Sequence, residues 1–330
     1  MVYVICPAYY KTGGTELLHQ LVCHLNHINV DAIIAYSDCD AYEGRINPAF
    51  IEYINSYIEI KDIEDQSQNT VVVSEIACKY LKYFKRVRKV IWWLSVDNFI
   101  RECGLIGRIR ISGLRRGVLG TVKRIVRKKY ENISKYIWIA DLHLCQSYYA
   151  LDYLQSIGMD KNKVEYLSDY LNDQYLDIVM EDGKKRDDVI LYNPQKGYKF
   201  TKKIIKSNPQ YTWVALKNMN NAQVIEAMKS AKIYIDFGNH PGKDRMPREA
   251  AMAGCCIVTG RRGAASNDKD INILKKYKFD DKRDSVDKIS NCIYNIMMNF
   301  SECNEEFNRY RTGIRNEKEQ FIDDVSRIFG

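Results

Sequence analysis

The stretch "HPGKDRMPREAAMAGCCIVTG", His240 to Gly260, crowds Lys243, Arg245 and Arg248 together and follows them at once with Glu249. A loop of this kind, running into the N-terminus of the helix "PREAAMAG", offers backbone N–H groups, the positive end of a helix dipole and three cations, all of which favour an anion. Glu249 adds a carboxylate able to accept two hydroxyl hydrogens. Diphosphate beside a diol is what a nucleoside diphosphate presents. The same residues also suit a solvated charged loop ahead of a core helix, with Glu249 stabilising its own helix dipole. His240, which titrates near neutrality, fits either a pocket or a loop. A second set lies near the N-terminus, where Gly13 and Gly14 form either a tight strand-to-helix turn or a bare backbone that a phosphate or an acceptor can approach. Glu75 and Asp97 each follow an apolar strand and are candidate bases, though capping or surface carboxylates look the same in sequence.

These groups need a scaffold, and the chain reads as strands alternating with helices. "VYVICPAYY" is a buried strand, "TGG" a turn, and "TELLHQLVCHLN" a helix with Thr15 as N-cap and Leu17, Leu18, Leu21, Val22 and Leu25 at helical spacing. "DAIIAYSD", "TVVVSEIA" and "KVIWWLSV" are short apolar runs without alternation, the pattern of parallel strands covered on both faces. "MEDGKKRDD", Met180 to Asp188, has no apolar anchor and reads as a linker. The rhythm then restarts with "DVILYNPQKG", "YTWVAL", "NAQVIEAMKSA" and "KIYIDFG", passes through the opening stretch to "CCIVTG", and ends in a helical tail. The expectation is an α/β chain of two Rossmann-like domains, 1–180 and 181–330, facing each other across a cleft.

Composition sets the outer bounds. The 330 residues suffice for two cores. With 46% hydrophobic and 28% charged residues the chain is of the globular class, and no apolar run reaches the roughly 18 to 20 residues of a membrane span. "MVYVICPAYY" lacks the features of a secretory leader, and the ten cysteines show no C-x-x-C or metal-ligand spacing, so free thiols in a cytoplasmic setting are expected. The net charge of +8 is localised: residues 101–130 hold ten Lys or Arg against one Glu, a sum of +9, which leaves −1 for the rest. From Leu119 onward, Val122, Ile125 and Val126 fall on one helical face opposite Lys123, Arg124, Arg127 and Lys128, a pattern suited to an anionic lipid surface or to a solvated domain helix. Tyr130 is the only aromatic residue in that segment, which argues against nucleic acid.

"GKDRMPREAAMAGCCIVTGRRGAA" resembles the donor-binding segment of GT-B-fold glycosyltransferases, especially the large retaining family of bacterial capsule and surface-polysaccharide enzymes. "CPAYYKTGGTELLHQL" is similar to their acceptor-side glycine loop and helix, "TVVVSE" to a strand ending in Glu, and "LYNPQKG" to the start of their donor domain. The resemblance implies a sugar transferase, hexosyltransferase-type and retaining, using a UDP- or GDP-type nucleotide-sugar donor. The implied acceptor is a carbohydrate or lipid-linked oligosaccharide at the inner face of a membrane. It implies donor binding by Gly13, Gly14, Asn193, Lys196, Pro247 and Glu249 and catalytic roles for His240, Lys243 and Arg245, to which the strand-end position of Asp97 adds a candidate base. Fixed positive charge would stabilise the departing diphosphate, so no metal or other cofactor is expected. The chain departs from the family where a first glutamate should precede Glu249 by eight residues, because that position is Pro241; His240, Asp244 or Asp236 could stand in. Two rivals share parts of this pattern: a GT-B-fold nucleotide-sugar epimerase, and a non-enzymatic α/β protein using the basic segment as a nucleic-acid arm.

Overall fold

The computed structural model describes residues 1–37, 46–103, 132–179 and 185–330. The chain divides into two compact units, Met1–Ser168 with Phe321–Gly330, and Asp169–Gln320. The sequence reading set this division at 180/181. The difference has a packing cause: Leu171, Tyr175 and Ile178 are buried in the core of the second unit, while Phe321 stacks on Trp92 in the first. Residues 180–184 of the expected linker, and residues 104–131 containing nearly all of the basic segment, lie outside the described residues.

The first unit is a seven-stranded sheet of β1 (Val2–Pro7), β2 (Ala32–Ser37), β3 (Tyr57–Glu59), β4 (Thr70–Ser74), β5 (Arg88–Trp93), β6 (Leu142–Cys145) and β7 (Val164–Tyr166). Its spatial order is β3-β2-β1-β4-β5-β6-β7, and every pairing is parallel. The unalternating Val and Ile runs account for this, since β1, β4 and β5 are buried over most of their length. The chain winds outward in both directions from the β1/β4 pair, so its crevice opens at their carboxyl ends. Helix α1 (Gly13–His27) follows β1 and buries Leu17, Leu18, Leu21, Val22 and Leu25, as the helical spacing predicts. Its cap differs from the expectation. Thr12, not Thr15, is the N-cap, and the two threonines form a reciprocal capping box, because Gly13 and Gly14 are themselves the first helical residues. Helices α2 (Val96–Cys103) and α3 (Tyr148–Ser156) follow β5 and β6.

The second unit has a four-stranded parallel sheet, β11-β10-β8-β9, from β8 (Asp187–Tyr192), β9 (Thr212–Ala215), β10 (Ala231–Asp236) and β11 (Cys256–Thr259). Its reversal of winding lies between β8 and β10. Around this sheet lie α4 (Asp173–Leu176), α5 (Tyr198–Ser207), α6 (Asn221–Ser230), α7 (Arg245–Met252), α8 (Val286–Met298), α9 (Phe300–Glu305) and α10 (Asn308–Phe329), the last nine residues of which belong to the first unit. Among the described residues no helix is long and apolar enough to cross a membrane, and the described cysteines are free thiols.

The β8 and β10 loops touch backbone to backbone. Gly197, at φ 63°, caps α5, and a Cβ there would lie 2.2 Å from the Phe237 carbonyl oxygen; one on Gly238 would lie 2.4 Å from Lys196 Cβ. Both the left-handed backbone and the missing volume are needed at Gly197. Gly197→Ala should therefore lower stability by more than about 1 kcal/mol in urea unfolding. An unchanged midpoint would contradict the close approach.

Candidate functional site

The switch point of the second sheet is where the loop after β8 and the loop after β10 converge. Asn193 Oδ1 accepts the Gln195 N–H at 2.9 Å, folding the first loop back so that Lys196 reaches the second. There Lys196 Nζ donates to both carboxylate oxygens of Asp244, each at 2.8 Å. Asp244 is the N-cap residue of α7, yet its side chain makes no capping bond. The helix begins at Arg245, four residues before Glu249, with Pro247 buried in its first turn. The carboxylate that would ordinarily cap this helix is turned to Lys196, which leaves the first N–H groups of α7 uncapped by it.

Behind Asp244 sits His240, wholly buried. Its Nδ1 is 3.1 Å from Asp244 Oδ2, without hydrogen-bond alignment, and its Nε2 is 3.7 Å from Asp236 Oδ1. Asp236 is held in turn by the Tyr234 hydroxyl at 3.0 Å and the Gly238 N–H at 2.8 Å. Burial alone would lower the His240 pKa, but the two aspartates outweigh it and raise it above the usual 6.5. Asp244 is half-buried; burial would raise its pKa, yet His240 and Lys196 hold it below the ordinary carboxylate value. Lys196 and His240 thus stand between Asp236 and Asp244. Asp236, His240 and Asp244 also place one potential metal ligand each within 4.8 Å of one another, a grouping that was not legible as a metal-binding pair in the sequence.

The three clustered cations behave differently from a free anion-binding set. Arg248 is fully buried, with Nη2 on both oxygens of Asp169 at 2.8 and 2.7 Å and Nη1 on Glu317 Oε2 at 2.6 Å. Lys243 Nζ pairs with Glu317 Oε1 at 2.8 Å, and Arg245 Nε lies 3.9 Å from Asp169 Oδ2. Burial would raise the Asp169 pKa, yet Arg248, Lys243 and Arg245 together hold it low. Lys243, Arg245 and Arg248 thus share Asp169 and Glu317 in one network of charges. Glu249 is half-buried on the same helix. The sequence named all the cations, but nothing local marked Asp169 or Glu317, which lie 79 and 69 residues from Arg248.

In the first unit, Gly13 and Gly14 stand at the switch point, at the N-terminus of α1. A Cβ on Gly14 would make only ordinary contact, 3.5 Å from Leu94 Cδ1. Glu75, at the carboxyl end of β4, is buried and accepts the Leu94 N–H at 2.8 Å; burial pushes its pKa up to about 7. Asp97, in the first turn of α2, accepts the Tyr149 hydroxyl at 2.8 Å. Gly13, Gly14 and Asp97 therefore belong to one unit, and Asn193, Lys196, His240, Lys243, Arg245, Pro247 and Glu249 to the other.

Comparison with solved structures extends over the whole chain. The Anabaena protein HepE in complex with UDP and glucose is matched over 99% of this chain and 98% of its own, with a TM-score of 0.63 at 10% identity. WaaG, a glycosyltransferase involved in lipopolysaccharide biosynthesis, gives 0.60 at 10% identity, over 99% of this chain and 100% of its own. Sucrose-phosphate synthase from Thermosynechococcus elongatus gives 0.55 at 10% identity, over 100% and 94%. These likenesses show a shared GT-B fold. By sequence, neither a family model nor a curated protein matches the chain.

Two outcomes follow from the buried charges. Arg248→Ala strands two carboxylates and should cost roughly 3 to 5 kcal/mol, measured by denaturant unfolding; Arg248→Met with Asp169→Leu should cost less than the single change. A single variant as stable as the parent would contradict the network. For His240 the folded pKa is the higher one, so its contribution is complete below about 6.5 and is lost as pH rises through the raised value. His240→Gln should remove that part of the alkaline decline in stability. A decline of equal steepness in the variant would show that the histidine carries no proton there.

Proposed function

We propose that this GT-B-fold chain is a glycosyltransferase, moving a sugar from a nucleoside-diphosphate donor held by the second unit to a carbohydrate acceptor held by the first. The observation that carries the reading is the N-terminus of α7, where the N-cap residue Asp244 makes no side-chain capping bond, with Lys196 on one side and Glu249 one turn along. The diphosphate would lie against the N–H groups and Lys196, taking the place that Asp244 holds beside that lysine. Glu249 would accept the ribose hydroxyls. As the bond to the sugar breaks, negative charge grows on the diphosphate, where the helix dipole, Lys196, Lys243 and Arg245 would supply positive potential. No proton transfer to the leaving group is then needed.

Of the three residues that could replace the family's first glutamate, His240 and Asp236 are buried, whereas the Asp244 side chain keeps 19% of its surface exposed. Asp244 is the one able to meet a donor sugar. His240 is then a positioning residue, holding Asp244 and Asp236 in register. In this reading the positive potential at the diphosphate comes from Lys196, Lys243, Arg245 and the helix N-terminus, so transfer requires no metal. Retention of anomeric configuration, a UDP- or GDP-type donor, a lipid-linked acceptor in capsule or surface-polysaccharide assembly, and peripheral attachment at the inner membrane face belong to the same proposal. HepE, whose fold it shares and whose structures hold UDP and UDP-glucose, supports the donor class as analogy.

Glu249→Ala should leave the fold intact and weaken binding of the cognate nucleotide sugar by about 1.5 to 3 kcal/mol for each charged hydrogen bond lost, read by calorimetry or thermal shift. Equal affinity in variant and parent would remove Glu249 from the site. Consumption of the donor in the absence of any acceptor, with an isomerised sugar as product, would contradict transfer.

A further inference from the structure

Asp236, His240 and Asp244 meet at the carboxyl end of β10, where each offers one oxygen or nitrogen within 4.8 Å of the other two. Asp236 closes the strand, His240 lies in the loop that follows, and Asp244 immediately precedes α7, so one loop brings all three together. His240 and Asp236 are buried, and the Asp244 side chain, 19% exposed, is the way in from solvent.

Two carboxylates beside an imidazole suit an ion pair as well as a metal. The direction of the ring separates the two. His240 Nδ1 is 3.1 Å from Asp244 Oδ2, within hydrogen-bond distance, yet the two are not aligned, and among the described residues neither ring nitrogen has a hydrogen-bond partner. In a hydrogen bond the ring N–H points along the line to its acceptor. Two ligands of one ion instead direct their lone pairs at a third point, and around tetrahedral zinc, with bonds of about 2.0 to 2.2 Å, they stand about 3.3 Å apart. A separation of 3.1 Å without alignment fits the second arrangement. Asp236 is held as metal-binding carboxylates are. The Tyr234 hydroxyl donates to its Oδ2 at 3.0 Å and the Gly238 N–H to its Oδ1 at 2.8 Å, which fixes the plane of the group and leaves each oxygen a further lone pair. Imidazole with carboxylates selects an ion such as Zn2+ over Mg2+ and Ca2+, which take oxygen ligands.

Lys196 is the competitor for this site. Its Nζ donates to both oxygens of Asp244, and an ammonium and a divalent ion repel each other at one carboxylate. The lysine side chain is 35% exposed, so it has solvent to move into.

We propose that Asp236, His240 and Asp244 form a binding site for a divalent transition-metal ion of the zinc class, and that the ion displaces Lys196 from Asp244. The ion takes no part in bond making or breaking. Resting on the reading that Asp244 meets the donor sugar, an ion that holds Asp244 inhibits transfer.

The full chain, freed of metal with EDTA and kept reduced with a phosphine, is titrated with zinc chloride against a chromophoric zinc indicator, with no nucleotide present. The parent should bind one ion at this site, and His240→Gln and Asp244→Asn should each weaken that binding at least tenfold. Lys196→Ala, which removes the competitor, should tighten it by about fivefold or more. The thiols are alternative zinc ligands, and Co2+ in place of zinc reports on them, because sulfur ligands give an intense charge-transfer band that nitrogen and oxygen ligands do not. The expected cobalt spectrum lacks that band. Thermal melting checks that each variant is folded, and Lys196→Ala, changed at a partly exposed side chain, decides the question if His240→Gln does not fold. Equal zinc affinity in the parent and Asp244→Asn, no tightening in Lys196→Ala, a thiolate band from bound cobalt, or displacement of zinc by an equal concentration of Mg2+ would each overturn the proposal. Because nucleotide is absent, failure of the metal site is distinguishable from failure of the transferase reading.

Discussion

The guanidinium of Arg248 is the interaction on which the second unit's site depends. A fully buried cation is stable only when its charge and its donors are met, and here Asp169 and Glu317 meet them from far apart in the chain. Asp169 is the first residue of the second unit and Glu317 lies three residues before its end at Gln320. The same side chain therefore ties the entry and the exit of the unit to the helix whose N-terminus forms the site. Lys243 and Arg245, pulled into that network, hold the loop that presents Asp244. The cost of desolvating five charged groups is offset only while all of them stay in place, which makes the arrangement one of geometry more than of net stability.

The second constraint is topological. In both sheets the winding reverses once, between β1 and β4 and between β8 and β10, and the residues with chemical capacity gather at the carboxyl ends of those pairs. Gly197 and Gly238 let the β8 and β10 loops come into backbone contact, and this brings Lys196 to Asp244 across 48 residues of sequence. A side chain at either glycine would push the lysine and the aspartate apart.

Much of the fold was legible because its signals are local. Apolar runs without alternation marked parallel strands, and leucines at helical spacing marked α1. The error at its N-cap came from two threonines three residues apart, each able to cap; the glycines between them were helical, and only the backbone shows that. The unit boundary was misplaced by following charge at 180–188, because the apolar residues that decide it, Leu171, Tyr175 and Ile178, precede that charge. At the site, residue types were legible and partners were not. The cluster of Lys243, Arg245 and Arg248 announced an anion, but two of the anions they meet, Asp169 and Glu317, belong to the protein itself, and long-range ion pairs leave no periodic trace in sequence. In sequence His240 suits a pocket and a ligand-free loop equally; the structure buries it completely beside Asp236 and Asp244.

The central claim is that the α7 N-terminus and Lys196 form a diphosphate seat. Calorimetric titration of UDP and of GDP into the full chain and into Lys196→Ala tests it most directly. The account predicts one-to-one binding of one of the two nucleotides by the parent, weakened at least tenfold in the variant while its melting temperature stays close to the parent's. Binding of equal strength to both proteins, or no binding of either nucleotide by the parent, would contradict it.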